Sequence, residues 1–271
     1  ADGLALETAT VNSISISWNS VTGADGYRVY RSPDNITFNK LGSDITSGTD
    51  FTDTGLTPGT VYYYKISSYS SGGESDRSSS ISGLTTPDAP SGIAVGSESV
   101  NSLTISWDPA NGAAGYRVYQ SADNVNFTRV GSDVTTGTNY TDTGLNSGTA
   151  YYYKVTAYNT GGESIYSISA GNITFPNTAT GLTLGNATVS SISISWDSVT
   201  GAAGYRVHRS TDNISFEQVG GDITSVTDYT DTLLTPGTVY YYKISSYNSG
   251  GESSLSDSIT GITVPDAPES I

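Results

Sequence analysis

One histidine, no cysteine and 26 acidic residues against 11 lysines and arginines set the chemistry open to this 271-residue chain. Without thiolates there is no disulfide, thiolate zinc site, iron-sulfur cluster or cysteine nucleophile. The abundant serines lack a base to activate them, because the one imidazole, His208, stands where Tyr30 and Tyr119 stand at the same phase of the chain. The carboxylates are the other candidates. Asp44, Asp50 and Asp53 recur as Asp133, Asn139 and Asp142 and as Asp222, Asp228 and Asp231, and three carboxylates so close could ligate calcium. Calcium takes six to eight converging oxygens, and no loop of the Asp-x-Asn-x-Asp-Gly type with a closing Glu is present. These residues are therefore expected to start and stop strands. Asp88 and Asp266, each between prolines, leave calcium stiffening of a junction open. No cofactor and no enzymatic activity are expected.

A net charge of -15 and a pI near 4.1 are the wrong sign for a phosphate backbone or an anionic membrane surface. Nucleic acid and membrane insertion are excluded as expectations. No apolar run approaches the roughly 20 residues of a membrane span. The chain opens at Ala1, without Met or a basic-then-apolar leader, and reads as part of something longer.

The elements that position any site follow from a repeat. Trp18, Trp107 and Trp196 are spaced 89 residues apart, as are Tyr27, Tyr116 and Tyr205, with no gap. The units are read as residues 1–87, 88–176 and 177–265, with 266–271 beginning a further repeat or linker. Such a length suffices for each to fold alone, and the short Pro-containing linkers predict a rod of limited bending. Within a unit, Ser13-Ile14-Ser15-Ile16-Ser17-Trp18 alternates with period two and predicts a half-buried strand. Tyr27 and Val29 point inward on the next strand. Ile36, Phe38 and Leu41 are expected to supply a short apolar patch after a turn at residues 33–35. The longest strand runs from about Val61 to Tyr69, and Gly72-Gly73 turns the chain into a last strand ending near Leu84. Each unit is thus expected to be all-β: an immunoglobulin-like antiparallel sandwich of about seven strands, three in tandem in an extended rod.

Alternation along the longest strand places Tyr64 and Ile66 inward and leaves Tyr63, Lys65 and Tyr69 outward. The neighbouring strand adds Arg28 and Tyr30. The second unit repeats this face with Arg117, Tyr119, Tyr152 and Lys154, the third with Arg206, His208, Tyr241 and Lys243. Eight of the eleven cations lie on these two strands, so a cationic, tyrosine-rich stripe on an acidic rod is expected. It is a candidate for protein docking, to itself or to neighbouring domains, or for stacking on sugars. Cross-strand pairing alone also accounts for such residues.

These residues resemble fibronectin type III domains over almost the whole chain, three times. Leu56-Thr57-Pro58-Gly59-Thr60-Val61-Tyr62 is similar to that family's tyrosine corner and recurs at 145–151 and 234–240, with Ser147 in place of the proline. The resemblance implies that Tyr62, Tyr151 and Tyr240 bond back to nearby backbone. It also implies a secreted or cell-surface spacer, stalk or adhesive module, of the kind found in bacterial glycan-degrading proteins. A filament or sheath subunit and an accessory carbohydrate-binding region are the alternatives.

Overall fold

The computed structural model describes residues 2–97 and 99–268. Part of the expected 266–271 segment, residues 269–271, therefore lies outside the described residues. The first unit contains β1 (Ala5–Ala9), β2 (Ser13–Ser17), β3 (Gly26–Ser32), β4 (Asn39–Ile45), β5 (Asp50–Thr54), β6 (Val61–Ser70), β7 (Gly73–Glu74) and β8 (Ile81–Leu84). The second contains β9 (Ala94–Ser97), β10 (Ser102–Ser106), β11 (Gly115–Ser121), β12 (Thr128–Val134), β13 (Asn139–Thr143), β14 (Ala150–Asn159), β15 (Gly162–Glu163) and β16 (Ala170–Ile173). The third contains β17 (Thr183–Ala187), β18 (Ser191–Ser195), β19 (Gly204–Ser210), β20 (Glu217–Ile223), β21 (Asp228–Thr232), β22 (Val239–Tyr247) and β23 (Ile259–Ile262). No helix occurs among the described residues.

Each unit has two antiparallel sheets. In the first, β1-β2-β5 faces β4-β3-β6, and β7 and β8 pair with β6 on its far side; the second unit repeats this order, and in the third a single Tyr247–Glu252 bridge takes the place of β7. The alternating serine and isoleucine pattern produces this layering directly. Ile14 and Ile16 are fully buried between the sheets, while Ser15 on the opposite face bonds across to Thr52 at 2.9 Å. Trp18 meets the Tyr27 ring edge-on at 5.4 Å, and Tyr27 Oη accepts the Val21 N–H at 2.7 Å. Three separate cores result, and no buried side chain belongs to two of them.

Two local expectations need correction. Ile36 does not join the apolar patch: it is 82% exposed, and Val125 and Ile214 behave alike. Asp34 Oδ1 accepts the Ile36 and Thr37 N–H groups, and Asn35 adopts a φ of 61°, so the turn is locked with Ile36 pointing outward. Those bonds, led by one from Ser32, hold the Asp34 carboxyl down at about 2.

The last strand is not continuous. Between β7 and β8 the chain follows β6 with a three-residue period, as an extended polyproline-like segment does. Ser75 and Ser78 donate their N–H groups to Ser68 and Ile66 carbonyls at 2.9 and 2.8 Å. Their hydroxyls in turn accept the Ser68 and Ile66 N–H groups, both at 3.1 Å. Serine side chains complete a ladder that backbone alone would leave open. Ser164 and Ser167 do the same in the second unit, Ser253 and Ser256 in the third.

Candidate interaction face

The outer face of the larger sheet of each unit gathers the residues singled out above. Arg28 on β3 lies between two carboxylates. Its Nε and Nη2 donate to Asp44 on β4 at 3.1 and 3.0 Å, and Nη1 donates to Glu74 on β7 at 2.5 Å. Its guanidinium stacks on the Tyr69 ring at 4.7 Å. Arg117 repeats this with Asp133, Glu163 and Tyr158, and Arg206 with Asp222, Glu252 and Tyr247. Lys65, Lys154 and Lys243 sit over the rings of Phe38, Phe127 and Phe216 at 4.9, 4.4 and 4.8 Å.

This pairing revises the expected stripe. Asp44 is held at about 2, first by the Arg28 bond and then by Lys40, and Glu74 at about 2 by bonds from Ser67 and Tyr30. Both are ionised at neutral pH and offset the cations beside them, so the face is an ion-paired network rather than a free cationic stripe. Such partly exposed pairs are screened by solvent and contribute little each. Sequence distance hid the partners: Asp44 is on the next strand and Glu74 lies 46 residues from Arg28.

Tyr30 requires its own correction. It lies on the outer face yet is 5% exposed, because Arg77 covers its ring at 3.8 Å and its hydroxyl donates to Glu74. Tyr119, half-buried, donates to Glu163 at 2.9 Å and packs against Tyr166 at 4.9 Å. Tyr63, Tyr152 and Tyr241 are half-buried on the same face. Tyr152 lies over the neighbouring strand, where a Cβ on Gly171 would come within 2.5 Å of its ring. On the opposite face of the same strands, Tyr62, Tyr151 and Tyr240 accept the N–H groups of Thr57, Asn146 and Thr235 at 3.0, 3.1 and 3.0 Å.

The recurring aspartates do not converge. Asp44 faces Arg28 on one sheet, whereas Asp53 is buried on the other, accepting Tyr64 Oη at 2.9 Å and Arg31 Nη1 at 3.1 Å. Asp142 accepts Tyr153 Oη and Gln120 Nε2, and Asp231 accepts Tyr242 Oη and Arg209. Asp53, Asp142 and Asp231 thus close the sandwich, whereas Asp50, Asn139 and Asp228 open β5, β13 and β21. Phase was the available signal, since Asp53 is two residues from the inward Phe51 and therefore on the same side of β5.

His208 replaces the tyrosine in the third unit. Its Nε2 is 3.2 Å from Ser245 Oγ and 3.9 Å from Glu252 Oε1, with Arg206 on its own strand and Lys243 and Gln218 in register on the flanking strands. Burial depresses its pKa, opposed by Glu252 and reinforced by Arg206. The unfolded chain therefore binds the proton more readily. Stability is full above the ordinary value of about 6.5 and is lost as the pH falls through it toward the folded value. We expect His208→Tyr to abolish this loss in the third unit. Melting temperatures of both proteins between about pH 5 and 7 test it, and parallel curves would refute it.

A groove of about 790 Å³ lies between the first two units, lined by Val11, Pro87, Asp88, Asn111, Glu163 and Ile165 among others. Glu163, one of its lining residues, is already engaged by Arg117 and Tyr119 of the outer face.

With two-sheet cores repeated three times, the comparison with known proteins is direct. Residues 2–83, 88–170 and 177–262 each match the fibronectin type III domain, and the chain belongs to that family. Among curated relatives, exoglucanase B of Cellulomonas fimi is 31% identical over 286 aligned residues, covering 96% of this chain and 25% of that protein. Chitinase A1 of Niallia circulans is 32% identical over 126 residues, 41% of this chain and 17% of the enzyme. The tail tube protein gp17.1* of Bacillus phage SPP1 is 38% identical over 71 residues, 26% of this chain and 25% of that protein. The chain thus spans a quarter or less of the length of these relatives.

Proposed function

We propose that this chain is a non-enzymatic spacer of a larger secreted or cell-surface protein, holding other domains apart in the manner of an accessory segment. The carrying observation is that three closed cores follow one another while their polar outer faces are consumed by internal ion pairs. No cation or carboxylate of the Arg28 network is left poised for chemistry. The match to a quarter of an exoglucanase and to part of a chitinase supports a place in proteins acting on polysaccharide. In this reading the catalytic work belongs to other domains.

Ten-residue strands at about 3.3 Å per residue make each unit roughly 30 to 40 Å long, so three in line should span about 100 Å. Small-angle scattering is the test, together with retention on insoluble cellulose and chitin. A maximum dimension near 100 Å and passage without retention are expected. A compact globule would overturn the spacer reading, and retention would replace it with a carbohydrate-binding role.

The similarity to a phage tail tube protein favours a second reading, a filament subunit docking through Tyr63, Tyr152 and Tyr241. Sedimentation across protein and salt concentration separates the two. Growth into long assemblies that the joint replacement of these tyrosines by Ser abolishes is the outcome this reading requires.

A further inference from the structure

The two junctions between units are built alike, around one side-chain amide each. Asn159 ends β14; its Nδ2 donates to Thr85 O of the first unit at 3.0 Å and to Gly112 O of its own unit at 3.2 Å. Its Oδ1 accepts the Gly161 N–H at 2.7 Å. Asn248, just beyond β22, bonds in the same way to Thr174 O, Gly201 O and the Gly250 N–H at 2.9, 3.1 and 2.8 Å. One amide thus joins carbonyls on both sides of a boundary while holding its own turn.

Backbone packing adds to this contact. A Cβ on Gly59 would lie 2.2 Å from Gly112 Cα, and one on Gly161 would lie 2.2 Å from Leu84 O. Any side chain there would force the units apart. The second junction repeats both approaches, at Gly148 against Gly201 and at Gly250 against Ile173 O.

The trailing end of the third unit carries the same surface uncovered. Thr86, Pro87 and Pro176 are buried at the filled junctions, and Leu84, Ile173 and Phe175 are half-buried. Their third-unit counterparts Ile262 and Val264 are 58% and 46% exposed, and Gly237 and Pro265 are exposed as well. The leading end of the first unit is different. It has Ser70 at the place of Asn159 and Asn248, a hydroxyl that accepts the Gly72 N–H at 3.2 Å but has no amide to reach across. It also carries a charge, Asp25, where the others have Ala114 and Ala203, and Asp25 accepts the Ser71 N–H at 3.0 Å.

We infer that the trailing face of the third unit is a docking surface for a further sandwich unit of this kind, one whose leading turn reads Asn-x-Gly-Gly. Asn159 and Asn248 are the positioning residues of this contact. A second copy of the chain, presenting Ser70 and Asp25, is not the occupant. The surface recognises the turn amide against its Thr263 carbonyl and the glycine turn against Gly237 and Ile262.

The test uses the absence of cysteine, which allows paired spin labels at chosen exposed serines. In the unaltered chain, the distance distribution between the second and third units is expected to be narrow and to broaden several-fold in Asn248→Ser, with the melting temperature of the third unit retained. The chain is then extended beyond Pro265 with a copy of residues 177–265, with or without serine in place of the copied asparagine. A narrow distribution between the third and added units with asparagine, and a broad one with serine, supports the inference. Equal widths in the two extended chains, or an undisturbed distribution in Asn248→Ser, overturns it.

Discussion

Trp107→Ala is expected to melt the second unit well below the other two, turning one chain into two folded domains joined by a loosened one. Trp107 is 4% exposed and meets the Tyr116 ring edge-on at 5.3 Å, amid Leu103, Ile105, Val118 and Val155. Truncating a buried aromatic of this size costs about 3 to 5 kcal/mol. A unit of this length has a total of only roughly 4 to 13 kcal/mol to lose. Because the cores share no side chain, the loss has no route into Trp18 or Trp196 beyond the hydrogen bonds and close backbone packing of the junctions. Calorimetry should resolve an early transition of about one third of the enthalpy, with the remainder displaced by no more than a few degrees. One cooperative transition shifted as a whole would show that the junctions bind the units into a single folding body.

Asp142→Ala tests the other inward device, and its expected effect is the next largest. Tyr153 is fully buried and its hydroxyl donates to Asp142 at 2.9 Å, with Gln120 donating to the same oxygen at 2.7 Å. Removing the carboxylate strands a desolvated hydroxyl, at a cost of about 1 to 3 kcal/mol. Burial, the largest cause, also pushes the Tyr153 pKa far above the ordinary phenol value, so ionisation offers the stranded group no relief. Tyr153→Phe alone instead leaves the carboxylate with Gln120 but without its tyrosine donor. The double variant removes both members of the pair, leaves no stranded hydroxyl and should lose clearly less than the two single losses combined, a coupling of about 0.5 to 3 kcal/mol. Urea unfolding of the three variants measures it, and additive losses would mean that the bond contributes nothing specific. The same change at Asp53 or Asp231 frees Arg31 or Arg209, each about one third exposed and able to rehydrate, so the second unit is the cleanest case.

Much of this architecture is legible in the sequence. A period of 89 residues anchored by Trp18, Trp107 and Trp196 defines three units, and strict alternation at Ile14 and Ile16 or at Tyr64 and Ile66 defines which face is buried. Both are one-dimensional signals, because a strand exposes and buries alternate residues whatever it pairs with. The outward position of Arg28 and Lys65 follows from the same rule. Their partners do not, since the rule says which side a residue faces and nothing about what strand lies beside it.

The sequence alone therefore determined the repeat, the sandwich, the inward apolar residues of the alternating strands and the tyrosines at the corners. Tertiary structure decided what the charges do: Glu74 reaches Arg28 across β6, Asp53 turns inward to Tyr64, and Arg77 covers Tyr30. It also decided how the units meet. Asn159 looks like an ordinary turn residue until the Thr85 carbonyl, 74 residues earlier, is brought within 3.0 Å of its amide. Hydrophobic periodicity is written locally because burial against any apolar neighbour satisfies it. Hydrogen bonds and ion pairs require a particular partner at a particular distance, and only the folded register of the strands and junctions supplies that.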